Sequence, residues 1–208
     1  MKGLLLKDFY VFQKNCRLYL LLIAVFIAAS AVNDESFYIL YPYLFAGMIP
    51  VTLMSYDEQS KWNQYCGTLP YSKAQIVSGK YLIGLFAQIT VLLLSGIVQT
   101  GKIVALGSSP DIYLLKMSIG LFASFVMPSI VLPFMFKLGV EKGRIAYILI
   151  LVIIGGGFFC FISLIQSQAL PIHFPSHFPL LTLCLIAIAI YAFSWYLSII
   201  IYKGREDL

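Results

Sequence analysis

Apolar residues are concentrated in six long stretches of this chain, and short polar segments separate them. A helix needs about 20 apolar residues to cross the hydrocarbon core of a bilayer, which is roughly 30 Å thick. The stretches approach or meet that length, and none shows the alternation of a membrane β-strand. We therefore predict six transmembrane helices. They cover residues 18–32, 37–56, 81–100, 112–136, 145–165 and 179–202.

The basic residues indicate which way these spans cross the membrane. If the N-terminus is cytoplasmic and the spans alternate, all of the 14 Lys and Arg residues except Lys102 and Lys116 fall on the cytoplasmic side. Basic residues accumulate in short cytoplasmic loops, so this distribution predicts that both termini lie in the cytoplasm. We therefore expect residues 1–208 to form a single all-α integral membrane domain.

Composition excludes a soluble domain. The chain is 61% hydrophobic and 11% charged, with a mean hydropathy of +0.91, whereas soluble domains carry roughly 25% charged residues. The net charge of +5 does not indicate nucleic-acid binding, because the basic residues recur at the ends of apolar stretches and form no single patch. The four cysteines are isolated, which predicts buried thiols and no metal or redox centre.

The segment before the first span has the pattern of an amphipathic helix. Within residues 2–15, Leu5, Phe9 and Phe12 recur at near-helical spacing, and Lys7 and Lys14 lie elsewhere. This pattern predicts a helix lying in the inner membrane interface. A cytoplasmic extension of the first span is the alternative.

The inner connection at residues 57–80 is the longest polar segment. Asp57 and Glu58 are typical of a helix N-terminus, and Gly67 and Pro70 are typical of its end. We therefore predict a short cytoplasmic helix between the second and third spans.

This predicted helix presents candidate contact residues. Glu58, Trp62 and Tyr65 recur at i, i+4 and i+7, with Lys61 beside them. Aromatic side chains with both charge signs suit a docking surface for another protein. An interfacial anchor with Trp62 and Tyr65 among the lipid headgroups is equally compatible with the pattern.

The chain offers no convincing catalytic or cofactor site. Residues 96–103 (GIVQTGKI) nearly match the phosphate-binding G-x-x-x-x-G-K-[ST] motif, but Ile103 replaces the hydroxyl that binds magnesium. No buried strand precedes these glycines. His173 and His177 flank Pro175 with no acidic residue nearby, so we expect no metal site in the outer loop at 166–177.

The predicted spans contain no Asp, Glu or His in their middle. Intramembrane hydrolysis and proton-coupled transport both rely on such groups. We therefore expect neither activity. Gln88 and Gln99 either line a path through the membrane or bond neighbouring helices, and the second interpretation is favoured.

Two segments resemble the permease subunits of bacterial type-2 ATP-binding-cassette exporters. They are the opening LLLKDFY at residues 4–10 and the loop YDEQSKWNQYCGTLPYSKAQIVSGKY at residues 56–81. The resemblance implies that residues 2–15 form an interfacial connecting helix and that the inner loop is a coupling helix. The residues implied to contact the ATPase are Asp57, Glu58, Lys61, Trp62 and Tyr65.

The resemblance also implies partners and a location. Six spans make half a pore, so a second permease copy or paralogue and two separate ATPase subunits are expected, in the bacterial cytoplasmic membrane. ATP and Mg²⁺ would bind to those ATPases, and this chain would hold no cofactor. The chain looks most similar to exporters of amphipathic peptides such as phenol-soluble modulins or bacteriocins, which implies an amphipathic or hydrophobic substrate. A non-transporting membrane scaffold or immunity protein is the alternative function.

Overall fold

The regular structure of the described part of the chain is helical. The computed structural model describes residues 2–33, 35–66, 68, 70–106, 110–143, 145 and 180–204. Within these ranges there is no β-strand, which confirms the all-α prediction for them. The helices are α1 (Lys2–Asn15), α2 (Arg17–Val32), α3 (Ser36–Gln59), α4 (Trp62–Cys66), α5 (Lys73–Leu106), α6 (Pro110–Leu138) and α7 (Leu180–Lys203).

Four or five of the described helices can cross a membrane. The segments that are long and apolar enough alone are Ser36–Gln59, Lys73–Ala105, Lys116–Leu138 and Thr182–Lys203. α1 and α2 meet the same criteria only as a pair, which is bent by 69° at a break occupied by Cys16. The predicted fifth span at residues 145–165 and the predicted outer loop at 166–177, with its two histidines, lie outside the described residues apart from Ile145.

α5 is much longer than the predicted third span, which began at residue 81. Ser72 precedes the helix, its Oγ accepts from the Gln75 amide, and the Gln75 side chain accepts in return from the Ser72 amide. This reciprocal arrangement is a capping box, and it starts the helix at Lys73. The 34 residues of α5 extend about 51 Å at 1.5 Å per residue. The polar residues at its start are therefore part of the same rigid helix as the membrane span.

The side-chain contacts fix the directions of the helices. α3 and α5 are antiparallel, because Asp57 pairs with Lys80 and Tyr43 bonds Ser95. We call the end of the bundle that contains Asp57 and Lys80 the base. α2 is antiparallel to α3, because Tyr19 contacts Phe45 and Phe26 contacts Phe37 and Tyr38. α2 and α5 therefore both run away from the base.

α3, α6 and α7 all run towards the base. Gly47 of α3 lies so close to α6 that a Cβ there would be 2.8 Å from the carbonyl oxygen of Ser124, which only glycine permits. α6 and α7 are parallel, because Phe125 contacts Tyr191 and Phe136 contacts Tyr202. The last turns of these three helices consequently lie together at the base.

Candidate functional site

Four charged side chains from three helices meet at the base. Lys80 Nζ of α5 lies 2.8 Å from Asp8 Oδ1 of α1 and 2.5 Å from Asp57 Oδ2 of α3. Lys7 Nζ lies 2.9 Å from Asp8 Oδ1 and 2.8 Å from Asp57 Oδ1. Each cation therefore touches both anions, and we call this set of four residues the base network.

The base network is buried and electrically balanced. The exposed fractions of its side chains are 22% for Lys7, 1% for Asp8, 11% for Asp57 and 4% for Lys80. Removing such charges from water is costly unless each has an opposite partner, and here the two positive and two negative charges cancel. Loss of one member would leave an unpaired buried charge. The network therefore stabilises the packing of α1 against α3 and α5 as long as its charges are balanced.

α4 is joined to this network through an aromatic ring. Lys7 Nζ lies 4.1 Å from the centre of the Trp62 ring, within the range of a cation–π contact. The ring is half-buried, and its Nε1 is buried without a hydrogen-bond partner among the described residues. One side of the Trp62 ring therefore packs against the bundle.

The predicted coupling helix is not one continuous helix. α3 continues through Asp57 and Glu58 to Gln59, so these two carboxylates lie at the end of a helix and not at its start. The helix then ends, and Ser60 and Lys61 form a turn between α3 and α4 in which Lys61 has a φ of 53°. The prediction that Glu58, Trp62 and Tyr65 share one helix face at i, i+4 and i+7 was wrong, because Glu58 belongs to α3 and the two aromatic residues belong to α4.

Glu58 makes a contact that its predicted role did not include. Its Oε2 accepts a 2.7 Å hydrogen bond from the amide of Val140, which follows α6. Gly139 ends α6 with a φ of 82°, and its amide donates to the carbonyl of Met135, as in a left-handed helix cap. Glu58 therefore caps the short helical turn that begins at Val140 and ties it to α3.

Glu58, Lys61 and Tyr65 are the predicted contact residues that are exposed. Lys61 is exposed, and 64% of Tyr65 is exposed. Both lie next to Trp62 and hence next to the base network. The structure therefore separates the five predicted residues into an exposed group of Glu58, Lys61 and Tyr65 and a more buried pair of Asp57 and Trp62.

Cys66 at the end of α4 is buried beside the network. Burial raises the pKa of its thiol, and the negative charges of Asp57 and Asp8 raise it further, whereas Lys7 and Lys80 oppose them. A neutral buried thiol is a poor nucleophile and metal ligand. This agrees with the prediction of buried thiols for Cys66 and for Cys16, which is also fully buried.

A small cavity borders the network at Asp57 and Lys80. It has a volume of about 50 Å³ and is lined by Asp57, Glu58, Lys80 and Tyr202, together with apolar residues of α3, α5 and α6. A cavity needs roughly 10–15 Å³ to hold one water molecule, so a few waters fit here. The network can therefore be hydrated from this side.

At the opposite end of the bundle, Lys102 is the buried lysine among the residues that the structure describes. Lys102 Nζ of α5 donates to the carbonyl oxygens of Ser30 and Asn33 at the end of α2, over 3.1 and 3.2 Å. Residues 96–102 lie inside the continuous helix α5, so the segment that resembled a phosphate-binding loop forms no loop.

Gln88 and Gln99 of α5 bond neighbouring helices. The amide of Gln88 donates to the Ser124 carbonyl over 2.7 Å, and that of Gln99 donates to Ser30 Oγ over 3.3 Å. These contacts favour the interpretation of Gln88 and Gln99 as helix-packing residues.

Three members of the base network were missing from the sequence-based site. Lys7 and Asp8 were assigned to an interfacial helix, and Lys80 was counted only for orientation. Two signals pointed to them: adjacent opposite charges inside the apolar opening of the chain, and a lysine directly before the third predicted span. Neither signal identifies the partner of each charge.

The comparison with protein families agrees with this architecture. The model of a family described as ABC-2 family transporter protein matches residues 3–203. No curated protein sequence and no solved structure shows a significant match to the chain. The family match spans nearly the whole chain and includes every helix described above, so the chain belongs to the ABC-2 family of membrane transport components, which act with a separate ATP-hydrolysing subunit.

Proposed function

We propose that this chain is the membrane subunit of an ATP-driven exporter and that the base faces the cytoplasm. The observation that carries the proposal is α4, a short helix that presents Tyr65 at the base of a protein from a transport family. A separate ATPase would bind there and drive the spans between inward-open and outward-open arrangements.

The distribution of charge supports this orientation. Among the described residues, every Lys and Arg except Lys102 and Lys116 belongs to the base or to the segments next to it. Short cytoplasmic segments carry an excess of basic residues in membrane proteins. The base is therefore the cytoplasmic end in our proposal, in a bacterial cytoplasmic membrane.

The directions of α6 and α7 support six spans. α6 ends at the base, and α7 begins at the opposite end of the bundle, because the two helices are parallel. The chain between Leu138 and Leu180 has to connect opposite ends. In our proposal the predicted span at residues 145–165 would make that connection and bring the total to six, with α1 and α2 counted as one bent span.

The exposed pair on and beside α4 is the proposed ATPase contact. Lys61 and Tyr65 would touch the ATPase directly. Trp62 would transmit the position of α4 to the base network. Asp57 and Glu58 would hold the end of α3 to α1, α5 and the turn at Val140. This arrangement keeps all five predicted residues in the coupling region but gives them different tasks.

The substrate in this proposal is amphipathic or hydrophobic, such as a peptide toxin or antimicrobial peptide. Along α5 the buried polar residues between Lys80 and Lys102 are uncharged, which suits such cargo better than an ion. They are Gln88, Ser95 and Gln99. Two copies of the permease, or one copy with a paralogue, would form the complete path, and two ATPase subunits would bind ATP and Mg²⁺.

The test is co-purification from native membranes in mild detergent. We expect the tagged chain to recover an ATP-binding-cassette ATPase, identified by mass spectrometry, and the Tyr65→Ala variant to lose most of it. Tyr196→Ala is the matched control, because Tyr196 on α7 is 65% exposed against 64% for Tyr65 but lies outside α4. The control should retain the ATPase.

Two outcomes would contradict the proposal. Recovery of the intact chain without any ATPase would favour the membrane scaffold or immunity protein. Equal retention of the ATPase by Tyr65→Ala and wild type, with loss in a variant at another exposed surface, would remove α4 from the contact.

A further inference from the structure

Lys7 is a side chain that links α4 to α1. Among the described helices, α4 packs closely against α3 alone. Lys7 belongs to α1, which packs against α2, α3 and α5. Its Nζ lies 4.1 Å from the Trp62 ring on one side and 2.8 Å from Asp57 on the other. A displacement of Trp62 therefore acts on Lys7 and, through it, on α1.

The surroundings of Lys7 leave polar atoms free for a second arrangement. Asp8 Oδ2 and Trp62 Nε1 are buried and have no hydrogen-bond partner among the described residues. Most buried polar groups are paired, so orphaned atoms on both sides of one cation need a reason. A state in which Lys7 moves with Trp62 would let Asp8 rearrange towards Lys80, which already lies 2.8 Å from its other oxygen.

The bend between α1 and α2 is the place where such a movement would appear. The axes of α1 and α2 are bent by 69° relative to each other, and Cys16 lies at the break with no exposed surface. The base network holds α1 against α3 and α5 on the near side of this break. If Lys7 shifts, the angle at Cys16 changes and α2, the first span, changes with it.

We propose that Lys7 is a positioning residue that transmits the movement of α4 to α1 and the first span. Its ammonium group is shared between the Trp62 ring and the two carboxylates of the network, so it converts a displacement at the cytoplasmic surface into a change of the α1–α2 bend. This inference rests on the proposed function, because it needs an ATPase that moves α4.

The experiment measures how ATP changes the access to Cys16 in the purified permease–ATPase complex. Cys66, Cys160 and Cys184 are replaced by serine, so that a maleimide reports on Cys16 alone. We expect MgATP to change the labelling rate of Cys16 in this background. Lys7→Met should abolish that change, and Lys7→Arg should restore it, because arginine also stacks on aromatic rings and pairs with carboxylates.

Two further variants separate transmission from stability. Lys7→Met combined with Asp8→Asn leaves the balanced pair of Lys80 and Asp57, so a loss of ATP response in this variant cannot come from an unpaired buried charge. Lys14→Met removes an exposed lysine from the same helix and should leave the ATP response unchanged.

The outcomes distinguish this inference from the proposed function. If Lys7→Met or the double variant keeps the ATP-dependent change in Cys16 labelling while the ATPase stays bound, Lys7 does not transmit the movement and the inference is wrong. If labelling of Cys16 is unaffected by ATP in the wild-type complex, the inference is also wrong, although the ATPase remains the partner and the proposed function stands. If no ATPase is recovered with the parent chain, the proposed function fails and this inference fails with it.

Discussion

The two ends of the bundle hold their buried and half-buried lysines in different ways. At the base, Lys7 and Lys80 share the carboxylates of Asp8 and Asp57, which come from different helices. At the opposite end, Lys102 donates to backbone carbonyl oxygens at the end of α2.

This difference has a physical consequence for movement. Side-chain carboxylates can rotate or change partner without altering a helix, whereas the carbonyls that Lys102 binds stay in place as long as α2 is folded. The base therefore joins α1, α3 and α5 by contacts that can rearrange, and the opposite end joins α2 and α5 by a fixed cap. Movement driven from the base should pivot about the opposite end.

The largest expected effect is the loss of one carboxylate from the base. Asp57→Ala should lower the free energy of unfolding by about 3–5 kcal/mol, because Lys7 and Lys80 both lose a partner inside the protein. The measurement is SDS-induced unfolding in mixed micelles, followed by circular dichroism.

A double variant shows whether charge balance is the cause. Asp57→Ala with Lys80→Met leaves the neutral pair of Lys7 and Asp8 and should recover a large part of the lost stability. A single variant that unfolds like wild type would contradict the claim that the network holds the base together.

Loss of the lysine at the opposite end should lower the free energy of unfolding by less. Lys102→Met keeps the apolar stem of the side chain and removes its hydrogen bonds to Ser30 and Asn33, at a cost of about 1–2 kcal/mol. Carbonyls at a helix end near the membrane surface can bind water instead. The same unfolding measurement applies, and a loss larger than that of Asp57→Ala would reverse the comparison.

The sequence predicted the described spans better than it predicted the base. Spans follow from a local property, a run of about 20 apolar residues, so α3, α6 and α7 lie close to their predicted positions. The start of α5 was placed too late, because the capping box at Ser72 extends a helix through residues that are polar.

The base network depends on contacts between residues far apart in the chain. Asp8 and Lys80 are separated by 72 positions, and no periodic pattern connects them. The break before α4 was equally invisible, since a lysine with a positive φ leaves no mark in the hydrophobic pattern. Composition and spacing therefore gave candidate contact residues, but they did not predict the directions of the side chains.

The smallest expected effect is a shift in the titration of Cys66. This measurement distinguishes a change in the charges around the thiol from a change in its accessibility to the reagent. In a variant with Cys66 as the sole cysteine, the alkylation rate by a neutral maleimide should rise with pH, with a midpoint above that of an ordinary thiol, because burial disfavours the thiolate. The midpoint reports the pKa, and the plateau at high pH reports how easily the reagent reaches the thiol.

The signs of the changes follow from the charges around Cys66. Asp57→Asn removes an anion, so the thiolate becomes easier to form and the midpoint should move to lower pH. Lys7→Met removes a cation that favours the thiolate, so the midpoint should move to higher pH. If opening of the base were the only effect of these substitutions, both would raise the plateau and move the midpoint in the same direction, towards that of a solvated thiol. Opposite shifts would establish that the network acts on α4 through its charges while the base stays closed.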